Sequence, residues 1–86
     1  MELQARLTRI LKRGFRGSKV TVERTTPGSK KLCGILVWPK FLGVEQAQRQ
    51  KQLWSLLDDA LTPDERLRVT VILTFTPAEA VPVEDF

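Results

Sequence analysis

The chain contains no histidine and no tyrosine, and Cys33 is its only cysteine. Without histidine it has no Ser-His-Asp triad, no Cys-His pair and no imidazole ligand for a metal ion. A single cysteine forms no disulfide within the chain and offers no cysteine pair for zinc. The glycine signatures of nucleotide-binding loops are missing as well. These absences predict a protein that is not an enzyme and carries no metal or cofactor of its own.

Long apolar runs are also absent. No run approaches the ~18 residues that span a bilayer, and residues 1–6 lack the basic and then apolar pattern of a signal peptide. We therefore expect a cytoplasmic protein that does not bind a membrane. With 86 residues, 42% of them hydrophobic, the chain has room for one domain with one modest core. We assign that domain to residues 1–80 and a flexible acidic tail to residues 81–86.

Charge is unevenly distributed. Residues 1–51 hold twelve Lys or Arg against three Glu, whereas residues 52–86 hold two Arg against seven acidic residues. Such asymmetry is typical of proteins that bind an anionic partner. It is equally typical of basic residues that only solvate helices and loops, so both interpretations stay open at this point.

Residues 2–15 are predicted to form an amphipathic helix. Its apolar stripe repeats at helical spacing and consists of Leu3, Leu7, Ile10, Leu11 and Phe15. The opposite arc, about 120° wide, is basic and consists of Arg6, Arg9, Lys12, Arg13 and Arg16.

Two strands follow this helix. Residues 19–25 alternate with a period of two, and residues 32–38 are almost wholly apolar; turn residues 26–29 separate them and Pro39 ends the second. A second helical region is predicted over residues 44–61, then a capping box at 62–65 that leads into a short turn. Residues 67–75 alternate again, with Val69, Val71, Leu73 and Phe75 on one face, and residues 76–79 are predicted to turn the chain.

The predicted order is therefore helix, strand, strand, helix (which can be broken in two) and strand. This order indicates an α+β domain in which helices pack on one face of a small three-stranded mixed sheet. It is the element order of a type II KH-like fold.

Between residues 35 and 79 the chain resembles the BolA family in four features. Phe41-Leu42-Gly43 is similar to the family's Phe-x-Gly after its second strand, and Arg49-Gln50-Lys51 before Leu53 stands in place of its Arg-His-Arg. Leu57 and Leu61 continue the family's helix pattern. The segment 74–79 (Thr-Phe-Thr-Pro-Ala-Glu) resembles the Thr-Tyr-Thr-Pro-x-Glu that ends its third strand. With residues 3–15 as the first helix, the resemblance covers most of the chain.

The chain departs from the family at the metal ligands that the resemblance implies. The family's histidine at the start of the third strand is implicated in binding a two-iron two-sulfur cluster shared with a monothiol glutaredoxin, and Arg68 takes its position here. Arginine stays protonated and has no lone pair for iron. The second ligand, a histidine or cysteine between the first two strands, has no counterpart in residues 26–31. Cys33 can replace it only if it is exposed, and a cysteine in an apolar strand is more often a small core residue.

The first functional hypothesis is a BolA-like adaptor that docks a protein, such as a monothiol glutaredoxin, without ligating a cluster. Its predicted contact residues are Phe41, Gly43, Arg49, Lys51 and Arg68.

The second hypothesis is a DNA- or RNA-binding KH-type domain that uses the basic helix, since phosphate binding requires clustered Lys and Arg. Its predicted contacts are Arg6, Arg9, Arg13, Arg16 and Lys40. The Gly-x-x-Gly loop of KH domains is missing, and the aromatic residues lie on predicted core stripes rather than on a stacking surface. A KH-like relative of small ribosome-assembly factors is a third possibility, and the oligomeric state stays open.

Overall fold

In a computed structural model of the chain, residues 2–84 are described, with side chains for residues 2–80. The elements are α1 (Leu3–Gly14), β1 (Lys19–Arg24), β2 (Leu32–Val37), a short 3-10 helix (Pro39–Phe41), α2 (Gln46–Ala60), α3 (Pro63–Arg68), β3 (Val69–Phe75) and α4 (Pro77–Glu84). From α1 to β3 they follow the predicted order, except that the capping box begins a six-residue helix, α3, rather than a short turn. The predicted bounds of α1, α2 and the three strands agree with these within two residues. None of the described helices is long and apolar enough to cross a membrane.

The three strands form one mixed sheet in the order β1-β2-β3. β1 and β2 are antiparallel neighbours, as expected for a short connecting turn, and β2 and β3 are parallel because α2 and α3 carry the chain back between them. The predicted fold class, α+β with a three-stranded mixed sheet, is confirmed.

The hydrophobic core lies between the sheet and the helices. α1 contributes Leu7 and Leu11, α2 contributes Leu53 and Leu57, and all four are fully buried. Leu36 and Ile72 meet them from the inner face of the sheet and are also fully buried. The apolar stripe of the helix and the alternate, inward-facing residues of the strands thus pack together in one buried layer.

The alternation of β3 is interrupted once, which the sequence pattern does not reveal. Val69 lies opposite Leu32 but Val71 lies opposite Cys33, so Thr70 is an extra residue that shifts the register. Because one extra residue exchanges the two faces of a strand, Val69 and Ile72 both point into the core. Val71 stays 46% exposed and Leu73 48% exposed. The outer face of the sheet therefore carries apolar side chains.

Gly34 allows β1 and β2 to approach closely. A Cβ atom at this position would lie 2.7 Å from the backbone oxygen of Thr21, and that strand oxygen has little room to move. We expect Gly34→Ala to lower the free energy of unfolding by about 1–3 kcal/mol, measured by urea denaturation. Gly14→Ala is the control, because its Cβ would meet only the side chain of Leu56. Equal effects of the two substitutions would contradict this account.

Residues 77–84 form helix α4, where the sequence predicts a turn and then a loose tail. Its start repeats the capping box that begins α3: Glu79 N–H donates to Thr76 Oγ1 (3.2 Å), and Thr76 N–H donates to Glu79 Oε1 (2.7 Å). Two backbone donors are satisfied in this way, which favours helix over turn. The flexibility of the tail stays a prediction, and residues 85 and 86 lie outside the described residues.

Candidate functional site

Arg49, predicted to contact a partner, is buried and only 4% exposed. Its Nε donates to the Val44 carbonyl (2.7 Å) and its Nη2 to the Phe41 carbonyl (3.0 Å). Its Nη1 donates to Glu79 Oε1 (2.7 Å) and reaches the Thr74 carbonyl (3.4 Å). One guanidinium thus joins the loop after β2 to the end of β3 and the start of α4.

The predicted contact set around Arg49 is corrected by these positions. Phe41 is fully buried and packs against the rings of Trp38 (5.0 Å between centroids) and Phe15 (5.7 Å). Phe41 and Arg49 therefore hold the fold together and present no side chain to a partner. Gly43 is exposed at a positive φ of 80°, which explains why glycine occupies this turn. Lys51 is exposed and accessible.

The pKa of Glu79 predicts how the ion pair between Arg49 and Glu79 responds to acid. Hydrogen bonds from Arg49 and from the Thr76 backbone lower the pKa of the Glu79 carboxyl from 4.5 to about 2. A carboxyl with a depressed pKa stabilises the fold above its unfolded pKa, and the stabilisation is lost as the pH falls towards the folded pKa. We expect Glu79→Gln to be less stable than the wild type at neutral pH and to lose less stability between about pH 4.5 and about pH 2.

Urea midpoints measured across that pH range test this expectation. Asp59→Asn, at an exposed position of α2, is the matched control for the loss of one carboxylate. Parallel pH curves for the wild type and Glu79→Gln would contradict the role of this carboxylate.

Arg68 lies where α3 passes into β3, and it contacts the loop between β1 and β2. Its Nε donates to the Lys30 carbonyl at 2.8 Å. Lys30 and Lys31 are exposed in that loop, and Leu67, next to Arg68, is 76% exposed. We call residues 30, 31, 67 and 68 the Arg68 end. It combines three cations with one exposed apolar side chain.

A second cationic surface lies on α1. Arg9, Lys12, Arg13 and Arg16 are exposed and line an open groove along the helix with Ala5 and Thr8. We call these four cations the α1 basic face. None of them has a hydrogen bond or ion pair from its side chain within the described part of the chain. Lys12, which the predicted contact set left out, thus belongs to this surface.

The other two predicted nucleic-acid contacts are placed differently. Arg6 forms an ion pair with Glu65 and is only partly available. Lys40 lies over the ring of Trp38, 5.7 Å from its centroid, and the Trp38 Nε1 donates to the Arg16 carbonyl (2.8 Å). Lys40 therefore extends the α1 basic face at its C-terminal end.

Comparison with known proteins identifies the fold. No protein-family model and no curated protein sequence matches the chain. Among solved structures, a BolA protein homologue from Coxiella burnetii matches with a TM-score of 0.65 and 20% identity, over 85% of this chain and 88% of that one. A Bol-like protein from Babesia bovis matches with a TM-score of 0.65 and 15% identity, over 96% and 93% of the two chains. The chain has a BolA-like fold.

Within residues 2–80 of this BolA-like fold, the side chains at the implied ligand positions do not fit an iron–sulfur cluster. The resemblance implies one ligand at the start of the third strand and one in the loop between β1 and β2. These two positions are in contact, because Arg68 donates to a carbonyl of that loop, but the group at position 68 is a guanidinium. Cys33 lies on the outer face of the sheet and is half-buried, so it is not the core residue that its apolar neighbours indicated. Among residues 2–80, no three His, Cys, Asp or Glu side chains cluster as metal ligands do.

Gln50, which stands where the family resemblance places a histidine, has a structural role in this BolA-like fold. Its Nε2 donates to the Ile72 carbonyl (2.9 Å), and its Oε1 accepts from Trp54 Nε1 (3.0 Å). Gln46 likewise donates to the Thr74 carbonyl (3.0 Å). These glutamines occupy carbonyls on the outer edge of β3, which would otherwise be open to another strand.

Among residues 2–80 of this BolA-like fold, the aromatic side chains nearest the α1 basic face are packed or covered. Phe15 is 5% exposed and packs edge-on against Trp38, 5.0 Å between centroids. Trp54 is covered by the guanidinium of Arg66, 3.9 Å above its ring. Neither tryptophan is therefore placed like the stacking residues of single-strand binding proteins.

Proposed function

We propose that this chain is a non-enzymatic cytoplasmic protein that binds the phosphate backbone of a nucleic acid through the α1 basic face. The observation that supports this proposal is a row of four exposed cations whose side chains have no acidic partner among the described residues. Cations on a rigid helix that have no acidic partner within residues 2–80 keep their attraction for phosphate, because no ion pair to those residues has to break first.

Double-stranded nucleic acid fits this surface better than a single strand. Proteins that bind single strands combine cations with aromatic residues on which bases stack, and Phe15, Trp38 and Trp54 are packed or covered. The KH loop that clamps a single-stranded backbone is also missing, since Gly43 is followed by Val44, Glu45 and Gln46. We therefore propose contact with phosphates of a duplex and little dependence on base sequence.

The salt dependence of binding tests this proposal. We expect the logarithm of the association constant for a duplex of about 20 base pairs to fall with the logarithm of salt concentration, with a slope of about −3 to −4, because each of four phosphate contacts contributes about −0.9. Fluorescence anisotropy between about 50 and about 200 mM salt measures it. The matching single strand is the comparison, and we expect it to bind more weakly. A slope near zero, or tighter binding of the single strand, would contradict the proposal.

A protein partner is the second candidate, and the Arg68 end favours it. Three cations and the exposed Leu67 lie together there, and interfaces commonly combine an apolar contact with arginine. We propose this surface as the docking site for a protein such as a monothiol glutaredoxin. Docking requires complementary surfaces and no iron ligand from this chain.

Anaerobic reconstitution with a monothiol glutaredoxin tests the second candidate. We expect the two proteins to associate without a cluster that this chain ligates, and we expect Leu67→Glu to weaken association about tenfold by placing a charge in the apolar contact. Arg9→Glu, on the α1 basic face, is the control and should leave this association unchanged. A heteromeric cluster, seen by absorption and circular dichroism, that survives Cys33→Ala would contradict the prediction.

A further inference from the structure

Arg6 lies on the same side of α1 as two residues of the α1 basic face. It precedes Arg9 by three residues and Arg13 by seven, and this spacing places the three side chains next to one another along a helix. Together with Ile10 and Ala60 they line a groove between α1 and the end of α2. A nucleic-acid strand that contacts Arg9 and Arg13 therefore passes beside Arg6.

The carboxylate of Glu65 binds Arg6 in the free protein. Arg6 Nη1 donates to Glu65 Oε2, while Glu65 Oε1 accepts from the Thr62 N–H (3.0 Å) and the Glu65 N–H donates to Thr62 Oγ1 (3.2 Å). The capping box of α3 thus fixes the carboxylate in the position from which it binds Arg6. Hydrogen bonds from the Thr62 backbone and from Arg6 lower the pKa of Glu65, so its side chain is charged at neutral pH.

The ion pair between Arg6 and Glu65 is accessible from solvent. The side chain of Arg6 is 37% exposed and that of Glu65 is 20% exposed. Partly exposed ion pairs contribute little to stability, whereas a cation that binds a duplex phosphate releases condensed counterions. Exchange of Glu65 for a phosphate oxygen therefore requires no unfolding, in contrast to Arg49, whose side chain is 5% exposed.

We propose that Glu65 keeps Arg6 from contacting nucleic acid and thereby sets the affinity of the α1 basic face. This inference rests on the proposed binding of a duplex to that face. In the free protein the carboxylate occupies the position that a phosphate oxygen would take, and the cost of separating the ion pair cancels most of the gain from a fifth phosphate contact. A change that neutralises Glu65 therefore strengthens duplex binding, and it does so through Arg6.

The substitution Glu65→Gln tests the proposal, because glutamine at the third helical position preserves a capping box while it removes the negative charge. We expect the variant to bind a duplex of about 20 base pairs about threefold to fivefold more tightly than the wild type at about 100 mM salt. The slope of the salt dependence should become steeper by about 0.9, the contribution of one added phosphate contact. Fluorescence anisotropy measures both quantities.

Two matched substitutions separate the ion pair from the net charge. Asp64→Asn removes the same charge from the neighbouring, exposed residue of α3, and we expect it to strengthen binding less than about 1.5-fold, through the long-range field alone. Arg6→Ala should weaken wild-type binding less than about twofold, but it should remove the whole gain of Glu65→Gln when the two substitutions are combined. Circular dichroism confirms that each variant is folded.

The outcomes distinguish this inference from the proposed function on which it rests. If Glu65→Gln binds the duplex no more tightly than Asp64→Asn, the inference is overturned, and a gain that persists after Arg6→Ala overturns it as well. Either result leaves the proposed function intact, provided that the wild type binds the duplex with the expected salt dependence. A wild type without salt-dependent duplex binding overturns both.

Discussion

Replacing Arg49 by methionine is expected to lower the free energy of unfolding by about 3–4 kcal/mol. Methionine fills similar space and removes the charge and all donors. The Val44 carbonyl, which accepts from Arg49 Nε at 2.7 Å, would lose this partner, whereas the Phe41 carbonyl would keep the Val44 N–H at 2.9 Å. An acceptor left without a partner costs about 1–3 kcal/mol, and the loss of the hydrogen bonds from Arg49 to Phe41, Thr74 and Glu79 adds the rest of the expected effect.

Matched variants distinguish the contribution of the guanidinium's hydrogen-bond donors from that of its positive charge. Arg49→Lys keeps the charge but cannot donate along the directions of a planar fork, so it should recover only part of the lost stability. Lys51→Met, an exposed position on the same helix, should change stability by less than about 0.5 kcal/mol. Urea unfolding followed by circular dichroism measures all three variants. If Arg49→Met were as stable as Lys51→Met, the hydrogen bonds of the Arg49 guanidinium would contribute nothing to stability.

Reversing the charge of Arg9 and Arg13 together is expected to weaken duplex binding about 100-fold. The two residues are one helical turn apart, and both are exposed on the α1 basic face. Their replacement by glutamate removes two of four phosphate contacts and adds repulsion, which together amount to about 3 kcal/mol. The slope of the salt dependence should also fall by about half, because the two remaining cations make fewer contacts.

Lys30→Glu with Lys31→Glu is the matched control, since it changes the net charge equally at the Arg68 end. We expect it to weaken duplex binding less than about fivefold, through the long-range field alone. Equal losses for the two double variants would show that total charge matters and that the α1 basic face does not. If glutaredoxin association were lost only in the control, the Arg68 end would be the site of protein binding.

The order of the elements could be predicted from the sequence because each rests on local chemistry. The stripe of Leu3, Leu7 and Leu11 indicates a helix wherever it packs, and Thr62 with Glu65 caps a helix through contacts only three residues apart. Thr76 and Glu79 form the same box at the same spacing, so the start of α4 also rests on local chemistry, although the segment 76–79 by itself predicts a turn.

The exposure of single residues could not be predicted in this way. Arg49 looks like any basic residue on a glutamine-rich helix, and only the return of β3 and α4 beside it surrounds its guanidinium with acceptors. The outward direction of Val71 and Leu73 depends on one extra residue at Thr70, which alternation cannot show because both faces of β3 contain apolar residues.

The sequence alone determined the α+β order, the lack of histidine ligands and the cationic stripe of α1, because these follow from residue type and spacing along one element. The tertiary structure decided which cations remain accessible: Arg49 is enclosed, Arg6 is paired with Glu65, and Arg9, Lys12, Arg13 and Arg16 are exposed. It also brought Arg68 against the β1–β2 loop and set the apolar side of β3 outward. These outcomes depend on contacts between residues far apart in the chain, which no local pattern encodes.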